Sequence, residues 1–216
     1  MTDRPILYVG NKRYSSWSLR GWLGMKKSGL DFETVTIPLD TPEFAARIAP
    51  LSPTRTVPVL HAEGLAVWDS LAICELAAEA APEAHLWPRD SNVRAVARSL
   101  CATMHSSFAA LRDAAPMNLG RDGTPKAFSD AVRADIDLIE ALWREHRTHD
   151  GPYFFGDWSI VDAFWTPVAT RFRSYAVELS PDAQAYADAL LADPAFAEWR
   201  ADALVETFPN PLNDDV

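Results

Sequence analysis

The chain has 216 residues, of which 48% are hydrophobic, and its formal net charge at pH 7 is -10. A chain of this length forms one large domain or two small ones. The acidic balance argues against nucleic acid or an anionic membrane surface as a partner, because both require a basic face. The sequence contains no apolar run of the ~18 residues that a membrane span needs and no signal-peptide pattern at its start. We therefore expect a cytoplasmic protein without a membrane partner.

Strand and helix patterns alternate through the first 80 residues. Thr41 followed by Pro42 has the pattern of an N-cap and first helical position, which predicts a helix through about residue 48. Glu63-Gly64 is a hairpin turn signal between two short apolar runs. A βαβ unit followed by this hairpin predicts a mixed sheet of about four strands. The predicted strands are residues 6–9, 32–37, 57–61 and 65–68.

Strand signals nearly vanish in the second half of the chain. Residues 81–90 carry two prolines and no periodicity, and we interpret them as a linker. The apolar stripe from Val93 to Leu111 predicts a single helix of five turns. Four further helices are predicted near residues 125–149, 159–172, 181–191 and 194–203. The fold class predicted is an α/β domain followed by an all-helical domain.

The segment from Tyr14 to Arg20 places three serines between the first strand and the first helix. Unpaired backbone N–H groups and the positive end of the helix dipole gather at such a position, which suits an anion. The hydroxyl of Ser15 there either holds a thiolate or an oxyanion, or only caps the helix.

Two dipeptides farther along the chain are further candidates for ligand binding. If the Val57–Pro58 peptide bond is cis, Val57 turns its backbone toward the cleft, where a peptide-like ligand pairs with it as an extra strand. Asp69-Ser70 begins a helix, so these side chains either bind the ammonium and carboxylate of an amino acid or simply cap that helix.

These elements, in this order and spacing, resemble the glutathione S-transferase superfamily. Ser15-Ser16-Trp17-Ser18-Leu19-Arg20 is similar to the serine motif Ser-Ser-Cys-Ser-x-Arg of the zeta and related classes. Val57-Pro58 resembles the family's cis-proline element and Asp69-Ser70 its γ-glutamyl site. The segment from Gly156 to Asp162 resembles the one that begins the buried helix of the second domain, with a capping box at its start.

The resemblance implies a fold and an activity for the whole chain. The expected fold has a thioredoxin-like glutathione-binding domain with a mixed four-stranded sheet at residues 1–80, a linker at 81–90, and an all-helical domain at 91–216 that forms the electrophile pocket. The expected activity is that of a detoxifying transferase, in which a serine hydroxyl stabilises the glutathione thiolate for attack on a small electrophile. Glutathione is then the cosubstrate, and a homodimer is expected.

By position, Ser15 is the catalytic hydroxyl that the resemblance implies. Ser16, Tyr8 and Tyr14 are the alternatives, and Ser16 or Ser18 is then the structural N-cap. Many family members place Lys or Gln just before Val-Pro, where this chain has Thr56, so Arg55 is a possible substitute. The predicted glutathione-binding residues are Trp17, Arg55, Thr56, Val57, Pro58, Asp69 and Ser70.

Trp17 stands where the zeta motif has cysteine, and the first cysteine of the chain is Cys74. This departure argues against a glutathione mixed disulfide at the site and against a simple zeta assignment. Two alternatives to the transferase therefore stay open. One is a glutathione-dependent isomerase of the maleylacetoacetate type, and the other is a non-catalytic glutathione-binding protein on the same fold.

The electrophile pocket is predicted on the first long helix of the second half. Arg98, His105 and Arg112 repeat every seven residues and so share a helix face. A basic stripe beside the thiolate favours an acidic or carbonyl-bearing substrate, although a solvated helix face shows the same pattern. His105, Arg112 and Asn118 are the predicted pocket residues.

The cysteines and a pair of histidines are the remaining candidates for redox or metal chemistry. Cys74 and Cys101 lie among apolar residues without a CxxC pattern, and we interpret them as reduced, buried thiols. His146 and His149 have i, i+3 spacing, but histidines at the end of a helix also satisfy its dipole. No metal is implied.

Overall fold

The computed structural model describes residues 4–121, 123–148 and 150–208. Its strands form one sheet in the order β2-β1-β3-β4. Strand β1 runs parallel to β2 and antiparallel to β3, and β4 pairs antiparallel with β3. The mixed four-stranded sheet of the fold prediction is confirmed. The strands are β1 (Ile6–Val9), β2 (Glu33–Thr36), β3 (Val59–Ala62) and β4 (Leu65–Trp68).

Helices make up most of the remaining structure. Within the described ranges they are α1 (Ser16–Ser28), α2 (Phe44–Ile48), α3 (Ser70–Ala80), α4 (Ser91–Ser106), α5 (Ala109–Ala114), α6 (Asp130–His146), α7 (Ile160–Ser174), α8 (Pro181–Leu191) and α9 (Pro194–Val205). A short 3-10 helix, Pro82–Ala84, lies within the segment interpreted as the linker. None of the helices in the described ranges combines the length and the apolar character needed to cross a membrane.

Helix α1 connects the sheet to the helical half. Gly29 ends the helix with a φ of 75°, a left-handed conformation that glycine adopts without strain. Lys26 and Lys27 in the last turn complement the helix dipole. The helix packs against α3 at Gly24, where an added Cβ would lie 2.5 Å from Sγ of Cys74. The glycine therefore sets how closely α1 and α3 approach.

Helix α7 is the buried centre of the helical half, as its apolar sequence predicts. Every residue of it except Arg173 is buried. The predicted capping box is present, since the Ser159 backbone N–H donates to Oδ2 of Asp162 at 2.8 Å. Burial raises the pKa of Asp162 to about 6, and the hydrogen bonds that it accepts oppose this change. The carboxylate also joins α7 to α8, because Tyr186 donates its hydroxyl to Oδ1 at 2.9 Å.

The prediction of one five-turn helix from Val93 to Leu111 is wrong. Helix α4 ends at Ser106, and Phe108 adopts a left-handed φ of 65° before α5 begins at Ala109. The Phe108 ring is buried, and its centroid lies 6.0 Å from that of Trp165 on α7. Packing against α7 therefore accompanies a break that the apolar stripe alone does not show.

Helix α2 begins later than the Thr41-Pro42 pattern predicts. The Thr41 hydroxyl donates to the carbonyl of Pro38 at 3.1 Å instead of capping the helix. The Phe44 N–H donates to the Thr41 carbonyl at 3.1 Å, which makes a turn ahead of the helix. This side-chain-to-backbone bond favours a turn where the sequence suggests a cap.

Candidate active site

Ser15 lies at the junction of the loop after β1 and the first turn of α1. It is itself the N-cap, since its Oγ accepts from the Ser18 N–H at 3.3 Å. The prediction that Ser16 or Ser18 caps the helix is wrong, because the helix begins directly after Ser15. The Ser15 hydroxyl also donates to Oγ of Ser18 at 2.8 Å, and that oxygen accepts from the Gly10 N–H at 3.0 Å. A buried chain of hydroxyls thus ends at Ser15.

Ser16 faces the helical half of the molecule. Its Oγ accepts from Nη2 of Arg171 on α7 at 3.3 Å. Arg171 is buried and donates also to the carbonyls of Ala115 at 2.9 Å and Pro167 at 3.0 Å. The two adjacent serines therefore have different surroundings: Ser15 ends a hydroxyl chain, whereas Ser16 binds a cation.

The two tyrosine alternatives lie elsewhere around this loop. Tyr8 on β1 places its ring edge-to-face with His61, with 5.1 Å between the centroids. Tyr14 is buried, and the Arg13 guanidinium lies 5.9 Å from its ring centroid.

The Val57–Pro58 peptide bond is cis. Pro58 is buried against α1, where a Cβ added to Gly21 would lie 3.3 Å from the proline ring. The backbone of the half-buried Val57 forms no hydrogen bond with any described residue. Arg55 and Thr56 precede it and are exposed, with Arg55 at a left-handed φ of 59°. The edge beside Val57 is thus open to a ligand's backbone.

Asp69 and Ser70 lie at the N-terminus of α3, as predicted. Asp69 caps the helix, since its Oδ1 accepts from the Leu71 N–H at 2.7 Å. Ser70 is fully buried, and its hydroxyl has no hydrogen-bond partner among the described residues. A buried polar group without a partner is costly. The Ser70 hydroxyl at a positive helix end is therefore well placed for an anionic ligand group.

His105, near the end of α4, reaches across to α3. Its Nε2 lies 3.2 Å from Oδ2 of Asp69. Its ring meets the Trp17 ring edge-on, with 4.8 Å between centroids, and lies nearly parallel to Phe164 at 6.3 Å. Burial lowers the pKa of His105, although the charge of Asp69 opposes this change. The neutral imidazole therefore predominates at pH 7.

Arg20 is a site residue that the sequence pattern does not single out. Its side chain is fully buried, and its guanidinium lies 4.1 Å from the Trp17 ring centroid and 5.1 Å from that of Phe164. Burial, together with the charges of Arg112 and Arg171, lowers the pKa of Arg20 to about 9. Its Nε and Nη1 atoms have no partner among the described residues. Its place in the serine motif is the only signal in the sequence that distinguishes it from a surface arginine.

The basic stripe predicted on one helix face does not form. Arg98 donates to Oε1 of Glu75 at 2.9 Å and stacks over Trp87. Arg112 lies on α5 because of the break at Phe108, and it donates back to the carbonyls of Met104 and His105. Its guanidinium remains 5.2 Å from the Trp17 ring centroid. Arg112 and His105 thus meet around Trp17, whereas Arg98 does not join them.

Asn118 lies in the loop after α5. It is buried, and its Oδ1 accepts from the Gly120 N–H at 2.9 Å. Its carbonyl accepts from the Ser174 hydroxyl at 3.0 Å. These bonds hold the loop against the end of α7.

Both cysteines are free and buried. Burial raises the pKa of Cys74 to about 12 and raises that of Cys101. Neither is a reactive thiolate at neutral pH. The described ranges contain no group of three or more histidine, cysteine, aspartate or glutamate side chains that could hold a metal ion. His149 lies outside the described residues.

Comparisons with known proteins place this geometry in a family. The family model for the glutathione S-transferase N-terminal domain matches residues 14–80. Glutathione S-transferase 1 of Dianthus caryophyllus is 30% identical over 177 residues, which cover 77% of this chain and 76% of that protein. The maleylacetoacetate isomerase of Rattus norvegicus is 27% identical over 183 residues, with 82% of each chain covered.

A solved structure shows the same fold over almost the whole chain. A glutathione transferase homologue from Burkholderia, strain BGR1, superposes with a TM-score of 0.75 at 24% identity. The match covers 94% of this chain and 100% of that one. That structure holds bound glutathione.

Proposed function

Because the chain belongs to the glutathione S-transferase superfamily, we propose that it binds glutathione beside Val57 and Asp69 and activates the thiol with the hydroxyl of Ser15. The thiolate then attacks a small electrophile. The observation that carries this proposal is the buried Ser70 hydroxyl, which has no partner among the described residues and lies at the positive end of α3. The γ-glutamyl carboxylate of glutathione supplies the acceptor that this hydroxyl lacks.

The other parts of glutathione are proposed to bind residues of the same half of the chain as Ser70. Asp69 offers a carboxylate to the glutathione ammonium, and Val57 offers its free backbone edge to the cysteinyl residue. Arg55 and Thr56 are the proposed partners of the glycyl carboxylate. Residues 1–80 then form the glutathione-binding domain, and residues 91–216, joined through 81–90, form the electrophile side.

The hydroxyl chain explains how Ser15 can act as a donor. The Gly10 N–H holds Oγ of Ser18, and rotation of the Ser18 hydroxyl toward Ser15 frees the Ser15 hydrogen for a thiolate. A free thiol has a pKa of about 8.5, and a hydroxyl donor at a helix N-terminus lowers it. The thiol proton leaves to solvent, and the sulfur then forms a bond to the electrophilic carbon. The electrons of the bond that breaks leave with the leaving group or move into the substrate.

A basic cluster, of which Arg20 and Arg112 lie against Trp17, supports an anionic or carbonyl-bearing electrophile. Burial is the largest cause that lowers the pKa of Arg20, and the charges of Arg112 and Arg171 lower it further. The three guanidinium groups therefore lie close together. Such a concentration of positive charge stabilises negative charge that develops on a substrate. Trp17 contacts two of these guanidinium groups and forms the proposed wall of the pocket.

The same cluster favours a second candidate function, a glutathione-dependent isomerase. In that reaction the thiolate adds to a carbon–carbon double bond of the substrate, and the resulting single bond rotates. Elimination of the thiolate then restores the double bond, so no glutathione is consumed. An acidic diketo substrate suits the three arginines. Several relatives are maleylacetoacetate isomerases, although Trp17 departs from their serine motif.

One assay pair tests the proposal and separates the two reactions. Wild-type protein and Ser15→Ala are supplied with glutathione and either an aryl halide or a maleyl-type diketo acid. We expect wild-type conjugation of the aryl halide with loss of free thiol, and a decrease of at least tenfold in Ser15→Ala. Turnover of the diketo acid with constant thiol supports the isomerase. Glutathione binding without turnover of either compound would leave only the binding protein.

A homodimer is the proposed assembly. Leu65 and Trp68 on β4 are large hydrophobic residues that lie 63% and 43% exposed, and Val67 lies between them on the same strand. Successive side chains alternate between the two faces of a strand, so Leu65 and Trp68 extend from opposite faces of this edge strand. Exposed apolar side chains at a sheet edge are typical of a surface that a second copy covers. The proposed location is the cytoplasm.

A further inference from the structure

His105 touches both sides of the proposed cleft. Its Nε2 lies 3.2 Å from Oδ2 of Asp69, the carboxylate proposed for the glutathione ammonium. Its ring packs edge-to-face on Trp17 and lies nearly parallel to Phe164. These contacts bring α4 and α7 of the helical half to the first turn of α3.

The hydrogen-bond roles follow from the neutral ring. A neutral imidazole has one N–H, and Nε2 lies 3.2 Å from a carboxylate oxygen, which only accepts, so we assign the hydrogen to Nε2, on the side that faces Asp69. Nδ1 then carries the lone pair, and it is buried without a partner among the described residues. The other oxygen of Asp69 accepts from the Leu71 N–H. One oxygen of the carboxylate is therefore held by the helix cap, and the other lies against the imidazole before any ligand binds.

The backbone of His105 extends this arrangement to Arg112. Nη2 of Arg112 donates to the His105 carbonyl at 3.1 Å and to the Met104 carbonyl. The same guanidinium lies 5.2 Å from the Trp17 centroid. A shift of His105 therefore alters the geometry at Asp69 and at the arginine beside Trp17 together.

We propose that His105 is a positioning residue that couples the two subsites: it fixes the Asp69 carboxylate for glutathione and orders Trp17 and Arg112 for the electrophile. This inference rests on the proposed function. Its consequence is that the helical half sets part of the affinity for glutathione, and that glutathione and the second substrate assist each other's binding.

A double-mutant cycle on glutathione affinity tests the inference. The dissociation constant of glutathione is measured by calorimetry for wild type, His105→Ala, Asp69→Asn and the double variant. Asn at position 69 has the shape of Asp and keeps an oxygen for the helix cap, so the backbone at this residue need not change. We expect His105→Ala to weaken binding about tenfold in the wild-type background and less than about twofold in the Asp69→Asn background.

Two more variants separate positioning from a merely structural role. His105→Gln retains a donor near the Nε2 position, and we expect its glutathione affinity within about threefold of wild type. Ser106→Ala changes an exposed neighbour on the same helix turn and leaves the affinity unchanged. If His105→Ala fails to fold, the comparison of Gln with Phe at position 105 replaces it, and equal affinities of those two variants contradict the inference.

Coupling is read from a second titration. The dissociation constant of glutathione is measured with and without a saturating maleyl-type diketo acid, using Ser15→Ala protein to suppress turnover. We expect the diketo acid to tighten glutathione binding in the Ser15→Ala protein that retains His105, and not in the one that also carries His105→Ala. Equal effects of His105→Ala in both Asp69 backgrounds overturn the inference while the proposed function stands. Absence of glutathione binding to wild type overturns the proposed function itself.

Discussion

Arg171 on α7 donates through Nη2 to the hydroxyl of Ser16 in the first turn of α1, over 3.3 Å. This bond joins the buried centre of the helical half to the start of the helix that Ser15 caps. Burial, followed by the charge of Arg112, lowers the pKa of Arg171 to about 10, so it remains a cation at neutral pH. No carboxylate within the described part of the chain forms a salt bridge with it, and oxygen acceptors alone hold it in place.

Removal of this cation should destabilise the fold. We expect Arg171→Met to lower the free energy of unfolding by about 2 kcal/mol, because it leaves the Ala115 carbonyl and the Ser16 hydroxyl without this donor, whereas the Pro167 carbonyl keeps the bond from the Thr170 hydroxyl. Urea unfolding followed by circular dichroism measures the change. Ser16→Ala, the matched variant, loses a single bond and should cost about 1 kcal/mol. Equal stability of Arg171→Met and wild type would mean that the burial of the cation offsets its bonds.

The contact between Gly24 and Cys74 gives a packing prediction. An added Cβ at Gly24 lies 2.5 Å from Sγ and 3.3 Å from Cβ of Cys74, so Gly24→Ala forces α1 and α3 apart. We expect a loss of about 1–3 kcal/mol in the free energy of unfolding. Cys74→Ala in the Gly24→Ala background removes the nearest atom and should recover part of the loss. Additive losses in the double variant would show that the clash lies elsewhere.

The lowered pKa of Asp193 predicts that the free energy of unfolding falls as the pH drops below about 4. Burial alone raises its pKa, but hydrogen bonds from Lys27 at 2.6 Å and Tyr153 at 2.7 Å outweigh burial and lower it overall. A lowered pKa means that the contribution to stability is present above the unfolded value of about 3.9 and is lost as the pH falls through the folded pKa.

Substitution of Asp193 should remove that dependence. We expect Asp193→Asn to be less stable than wild type at pH 7 and to lose less stability on acidification from pH 4 to pH 2. Thermal melts across this range measure both effects. Asp31→Asn is the control, because its ion pair with Arg4 lies at the exposed surface and contributes little. Parallel curves for Asp193→Asn and wild type would contradict the assignment.

Glu206 holds the loop that leads to Ser15. Its two carboxylate oxygens accept from the backbone N–H groups of Lys12 at 2.8 Å and Arg13 at 3.1 Å. We expect Glu206→Ala to speed hydrogen exchange at these two amides by about tenfold, because each loses a bond to a charged acceptor. Glu198→Ala is the control, because Glu198 lies on α9, which Glu206 ends, and its exposed pair is with Lys26 of α1. Unchanged exchange at both amides would contradict a role for Glu206 in ordering the loop.

The parts of the fold that local chemistry decides were predictable from the sequence. Glu63-Gly64 forms the hairpin with both residues at positive φ, and Asp69 caps α3. The capping box at the start of α7 is present at Ser159 and Asp162. In each case a short run of residues provides its own hydrogen bonds or backbone preference, so no distant part of the chain is needed.

The rest depends on contacts between distant segments. The apolar stripe continues through Phe108 without a glycine or proline, so nothing local signals the break, which accompanies packing of Phe108 on α7. The same break moves Arg112 away from the face of Arg98. Arg20 has the sequence context of a surface residue, and only the tertiary fold buries it beneath Trp17 and Phe164.

The assignment of Ser15 is tested most directly by the ionisation of bound glutathione. Thiolate absorption in the ultraviolet, followed against pH with saturating glutathione, reports the pKa of the bound thiol in wild type, Ser15→Ala and Ser16→Ala. We predict a pKa below the free value of about 8.5 in wild type and Ser16→Ala, and a return to about 8.5 in Ser15→Ala. A lowered pKa that persists in Ser15→Ala, or that is lost in Ser16→Ala, would contradict the account.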